Sequence, residues 1–307
     1  MDTEKAKNAV IIILIILNAV IFFLVREKEN AYSLHSTQIS AINTVLGQNR
    51  ISLQTRLIMD FSPRKQLAMS EAGFDYGVLE GLLFEDGEEL VRTRTFERER
   101  WVGESGRVVI DIESGVFSFS ASRMLGDEGP RAVNERAARD FCEAFLEEFA
   151  YKSGTGLAFT FAGDQRYERD YIVQYMGMHD GMVIGSTIAQ FSFDEYGLYE
   201  FMCRIAVPEG LTDIAHEIYS ADEALFVLAR ELNERYPGMS FHISGMEMVY
   251  FFDESGGNSL AQPSYMFTIK DRTEDVSDIT GDNSIRVFVD AYTNSVIRGS
   301  GLGFETF

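Results

Sequence analysis

Polar and apolar positions follow three different patterns along this chain. The first is an unbroken apolar run: residues 9–25 carry no charge and one polar side chain, Asn18, within "NAVIIILIILNAVIFFLV". At about 1.5 Å per residue the run spans roughly 26 Å, close to a bilayer core of about 30 Å. Arg26 and Lys28 follow it and can snorkel to the interface. A signal-peptide cut after Ala31 would put Glu29 where a small residue is wanted. The pattern predicts a short cytoplasmic tail (residues 1–8) and a retained transmembrane helix (9–25). Lys5 and Lys7 on one side balance Arg26 and Lys28 on the other, and the terminal amine tips the count. The amino end is expected inside, with the bulk of the chain extracytoplasmic on a single-pass anchor.

The second pattern is helical and occurs twice in strong form. "RAVNERAARDFCEAFLEEFAY" sets Ala137, Phe141, Phe145 and Phe149 four apart. "YSADEALFVLARELNERYPG" opens on a capping box, Ser220 with Glu223. It aligns Leu225, Leu228, Leu232 and Tyr236, then stops at Pro237-Gly238.

The third pattern is that of strands, and it follows each helix. After the first come "LAFTFAG", "DYIVQYMGM" and "GSTIAQFSFDEYGLYEFMCRIA", which bends at Asp194–Gly197. After the second come "FHISGMEMVYFF", "SYMFTIKD" and "SIRVFVDAYTNSVIRG", which bends at Tyr292–Asn294. The earlier chain repeats this loosely, with short helices in "QISAINTVLGQNRIS" and "DYGVLEGLLF" and a hairpin in "RVVIDIESGVFSFSA". Polar, Gly/Pro-bearing stretches, "MLGDEGPRAV" and "VPEGLTD", mark boundaries. The expected fold is α+β: a transmembrane helix and two to three small helix-on-antiparallel-sheet modules. These comprise a first exported region (31–128), repeat A (131–210) and repeat B (214–300).

Composition supports packed cores, with 46% hydrophobic residues, 24 Phe and 13 Tyr. Against 27 Lys plus Arg stand 48 Asp plus Glu, a net charge of −21 that repels nucleic acid and anionic headgroups. Two cysteines, Cys142 and Cys203, make no disulfide scaffold and leave one bridge or two buried thiols open. Catalytic motifs are not found. His35, His179, His216 and His242 stand at no metal-ligand spacing, and no G-x-S-x-G, H-E-x-x-H or P-loop occurs. "GSGLGF" has no helix after it to receive a phosphate, and "EDGEE" and "RTEDVSD" lack the calcium-loop pattern. No cofactor, metal or small-molecule substrate is expected.

Two features suit partner contact. In "VRTRTFERERW", Arg92, Arg94, Arg98 and Arg100 read as one side of an extended strand, with Phe96 between them. This is either a charge-protected edge or a cationic strip for an acidic partner. In the apolar run, Asn18 with Leu14 and Phe22 forms a stripe suited to packing and hydrogen bonding with another transmembrane helix.

The opening "DTEKAKNAVIIILIILNAVIFFL", then "INTVLGQNRISLQTRL", "IYSADEALFVLARELNE", "PSYMFTIKD" and "IRVFVDAYTNSVI", resemble the YycH/YycI family, closest to the YycI type. These are two-component-system regulatory proteins of Gram-positive bacteria. The inserts "ESGGNSLAQ" and "RTEDVSDITGD" depart from that pattern. The resemblance implies PepSY-like closing modules and a non-enzymatic, membrane-anchored extracytoplasmic regulator. Such a protein pairs with a YycH-like sister protein and modulates a sensor histidine kinase, partly through the transmembrane helix. The alternatives are an anchored PepSY-like inhibitor or binder of an extracellular peptidase, and a cell-envelope enzyme.

Overall fold

The computed structural model describes residues 14, 17, 18, 20, 22, 32–34, 36–70, 74–122, 134–167, 170–252, 259–271 and 284–297. Most of the predicted span 9–25 lies outside them, as do His35 and the stretches "MLGDEGPRAV", "RTEDVSDITGD" and "GSGLGF".

Three helices each lead into a four-stranded meander. The shortest, α2 (Gly77–Leu83), precedes β3 (Val91–Arg94), β4 (Arg98–Val102), β5 (Gly106–Asp111) and β6 (Val116–Ala121). The longest, α3 (Glu135–Ser153), precedes β7 (Ala158–Tyr167), β8 (Asp170–His179), β9 (Met182–Asp194) and β10 (Gly197–Arg204). The last, α4 (Ala221–Arg235), precedes β12 (Phe241–Phe251), β13 (Leu260–Asp271), β14 (Ile285–Asp290) and β15 (Ser295–Ile297). Between and before them lie α1 (Ser36–Gln48), β1 (Ile51–Leu53), β2 (Arg64–Met69) and β11 (Pro208–His216).

Local sequence explains the two long helices. Asn134 caps α3 by accepting the Ala137 N–H at 3.2 Å, and Gly154 ends it at φ 61°, a left-handed conformation that favours glycine. At the start of α4 the Ser220 N–H donates to Glu223 Oε2 at 2.9 Å within a capping box. The buried stripe of α3 is Ala138, Cys142, Phe145, Leu146 and Phe149. Phe141 is 44% exposed and Ala137 is exposed. Residues four apart advance about 40° beyond a full turn each step, so the predicted line drifts off the sheet toward its amino end.

The meanders do not remain separate. β6 pairs with β10 (Phe119 opposite Phe201), giving the antiparallel run β7-β8-β9-β10-β6-β5-β4-β3. β12 meets β9 through the parallel pair Tyr250 and Ile184, β2 bridges β11 and β13, and β1 runs parallel to β12. The result is one fifteen-stranded mixed sheet. This corrects the expected α+β fold of two to three small, separate helix-on-antiparallel-sheet modules behind an amino-terminal helix: the meanders form one sheet. Edge strands present rows of unpaired N–H and C=O groups, and here the meanders satisfy them by joining. No helix among the described residues is long and apolar enough to cross a membrane.

Three apolar clusters follow. One lies between α2, α3 and the first long run, with Phe145, Phe191 and Phe201 at its centre. A second packs α1 and α4 on β12, β13 and β14. The third joins faces turned away from the helices: Met176 and Ile188 meet Val249, Phe251, Met266 and Phe288.

Candidate docking surface

Groups able to do chemistry are mostly committed to the fold. Among the described residues no three His, Cys, Asp or Glu gather as a metal set. Ser52 Oγ lies against His242 Nδ1, with Gln54 Nε2 at 3.3 Å, so the histidine is satisfied by its neighbours on and just after β1. His179 Nε2 lies 3.6 Å from the adjacent Asp180, and His216 packs edge-on to Tyr292. Cys142 and Cys203 are free, buried thiols. Burial pushes Cys142 up to about 12 and Cys203 upward too, which leaves both as inert thiols rather than nucleophiles.

A polar network clamps α3 to the sheet. Arg139 Nε donates to the Tyr171 hydroxyl at 2.7 Å, and that hydroxyl donates to Asp164 Oδ2 at 2.7 Å. Arg139 also pairs with Asp164 and lies 4.8 Å over the Phe161 ring, and Arg166 pairs with Glu135 at 2.7 Å. Burial pushes the Tyr171 phenol up to about 12, so it holds its proton as a structural donor.

The arginine-rich stretch is where side chains remain available. It is a hairpin, not one strand. The Thr95 N–H donates to Arg98 O at 2.8 Å, and Thr95 Oγ1 accepts the Arg98 N–H at 3.0 Å, leaving Phe96 at the tip and 87% exposed. In the β3–β4 register Arg92 faces Trp101, Thr93 faces Arg100 and Arg94 faces Glu99. Residues opposite one another share a face, so the expected single strip divides.

Arg92 and Arg94 share the face of the buried Trp101. Arg92 sits 4.9 Å from the indole centroid and pairs with Glu80, and Arg94 approaches Glu99 at 3.7 Å with 72% of its side chain exposed. Arg98 and Arg100 take the opposite face. There the β4–β5 register adds a residue from outside the hairpin: Val102 faces Arg107, Arg100 faces Val109 and Arg98 faces Asp111. Arg100 and Arg107 are thus diagonal neighbours, about 7–8 Å apart by sheet geometry.

The core helices lie on the other side, where Leu79 of α2 and Phe145 of α3 share a cluster with Trp101, Val108 and Phe117. The outer face continues over Ser118 and Ser120 to Met202 and Glu200. Arg98, Arg100, Val102 and Arg107 are exposed on it. Arg98 reaches Asp111 at 3.6 Å, a weak surface pair. That carboxyl is held below its ordinary range first by the Ser114 N–H and hydroxyl, then less by Arg98. Among the described residues Arg100 and Arg107 have no ion-pair partner. Glu88 fixes the root of this arm by accepting from the Ser105 N–H at 2.8 Å and from its hydroxyl. Sequence alone misses Arg107, because only the strand register sets it beside Arg100.

The other predicted contact residues lie apart from this face in sequence. Leu14, Asn18 and Phe22 are helical and exposed where described.

No family model and no curated protein matches the chain. Among solved structures it is similar to an uncharacterized protein from Eubacterium rectale ATCC 33656, at 10% identity and a TM-score of 0.48. The match covers 81% of this chain and 91% of that one.

Proposed function

We propose that this chain is a non-catalytic regulatory protein held at the cell membrane by its apolar amino-terminal segment. Its extracytoplasmic body binds a sister protein and modulates a sensor histidine kinase of a two-component system. The observation that carries the binding role is the outer face of β4 and β5. Two exposed guanidiniums, Arg100 and Arg107, stand there without ion-pair partners among the described residues, on a chain of net charge −21. An acidic protein keeps such a patch open at no benefit to its own fold, whereas an acidic partner gains charge complementarity from it. The stretches similar to the YycH/YycI family supply the kinase context.

The test is co-purification of the tagged full chain from native membranes with the neighbouring histidine kinase and the sister protein, each identified by mass. Arg100→Glu with Arg107→Glu is expected to remove most of that capture while leaving the circular dichroism spectrum unchanged. Undiminished capture by the double variant would remove this face from the mechanism. Turnover of a wall substrate by the purified chain would overturn the non-catalytic reading. In the membrane, Asn18→Leu is expected to weaken association by roughly 0.5–2 kcal/mol, measured by cysteine crosslinking along residues 11–25. Crosslinks centred on the side opposite Leu14, Asn18 and Phe22 would exclude that stripe.

A further inference from the structure

We propose that the open edge of β3 receives an extended segment of the partner as an added strand, and that it selects a run of consecutive acidic residues. This rests on the docking role assigned above and adds its mode and its selectivity.

β3 ends the long run of strands and, among the described residues, pairs only with β4. All four of its residues are exposed. Hydrogen-bonded and non-bonded pairs alternate in an antiparallel ladder. The Thr95 N–H bond to Arg98 O closes the hairpin, so the next pair, Arg94 with Glu99, is non-bonded and so is Arg92 with Trp101. The N–H and C=O groups of Arg92 and Arg94 therefore point away from β4, toward the open edge.

A strand laid there puts successive side chains on opposite faces of the sheet. On the inner face its residues meet Arg92 and Arg94 directly. On the outer face they meet Thr93 and, one strand further, Arg100. Exposed cations thus stand on both faces, those of the inner face in surface pairs with Glu80 and Glu99 that an added acidic strand would share. An alternating acidic-apolar strand uses only one side. A run of adjacent Asp and Glu uses both, and the exposed Phe96 at the hairpin tip offers an apolar stop beyond the run. A second copy of this same edge is a poor occupant, since it would set arginine against arginine.

The test is fluorescence anisotropy of labelled peptides with the detergent-solubilised full chain. One peptide carries four consecutive acidic residues between β-branched flanks. A second has the same composition with the acids alternating, and a third is the first with backbone N-methylation of the acidic run. The consecutive run should bind about tenfold more tightly than the alternating peptide and lose about tenfold on N-methylation. Its affinity should fall between roughly 50 and 300 mM salt. Arg94→Gln should weaken the run several-fold and the alternating peptide in one register only. Equal binding of run and alternating peptides overturns the two-faced selection, and N-methylation without effect overturns the added strand. No binding of any peptide overturns both. Each of these failures is separable from the docking role, which stands or falls with partner capture by the Arg100→Glu, Arg107→Glu variant.

Discussion

Tyr171 shows how single residues of this fold respond to pH. Its hydroxyl is both acceptor from Arg139 and donor to Asp164, and burial raises its pKa to about 12 from an unfolded value near 10. A raised folded pKa means that the native state holds a proton the unfolded chain gives up. The stability from that proton is fully present below pH about 10 and is lost as pH rises toward 12. Tyr292, also raised to about 12 by burial, acts in the same direction. The urea midpoint should therefore fall between pH 10 and 12, and Tyr171→Phe should flatten that fall. The same variant costs about 1–3 kcal/mol at pH 7, because it leaves Arg139 and Asp164 short of a partner. Cys142 and Cys203 provide a second readout: neither should react with a thiol reagent until denaturant opens the fold. Reaction in native buffer would contradict the burial of α3 against β8 and β10.

At the scale of elements, the two long helices and most strands are legible because burial imposes a period of 3.6 or 2 on the residues themselves. What is not legible depends on geometry between residues. The drift of the α3 stripe toward Ala138 and Cys142 is set by where the sheet lies. The β3–β4 turn is invisible because "TFER" holds no Gly, Pro, Asn or Asp, and the Thr95 hydroxyl does the closing. Read without that turn, four arginines share one side; with it, two change faces and Arg107 joins the outer pair. Gly106 tests how firmly β5 is set. A Cβ there would fall 2.6 Å from the Ser120 carbonyl oxygen and 2.6 Å from the Phe119 ring. Backbone cannot yield as a flexible side chain does, so Gly106→Ala should cost about 1–3 kcal/mol in urea denaturation and weaken docking with it. An alanine variant of wild-type stability would mean that the β5–β6 register is looser than the pairing Gly106 with Ala121 requires.

At the scale of the molecule, the helix-then-meander order can be read twice along the chain and only loosely before that, but nothing in any one stretch says whose edge a strand will meet. The joining residues are ordinary apolar ones: Phe119 opposite Phe201, and Tyr250 opposite Ile184. Tyr250 stands on β12 yet packs in the cluster under α3, and its hydroxyl donates to Lys65 O on β2 at 3.0 Å. These contacts make a specific claim about cooperativity. Leu228 is fully buried on α4 itself, in the second cluster, and the single tryptophan, Trp101, reports from the first. Leu228→Asp buries an unpaired carboxylate, at a cost of several kcal/mol. In a chain of independent modules Trp101 would not respond. In one continuous sheet, loss of α4 exposes the second cluster on β12, β13 and β14, and strain passes to β9 and on through β10 to β6. Thermal melts followed by Trp101 fluorescence and by far-ultraviolet circular dichroism should then coincide, and both should move down together in Leu228→Asp. A Trp101 transition that stayed at the wild-type temperature while the dichroism melted in two steps would show that the meanders unfold separately despite their shared sheet.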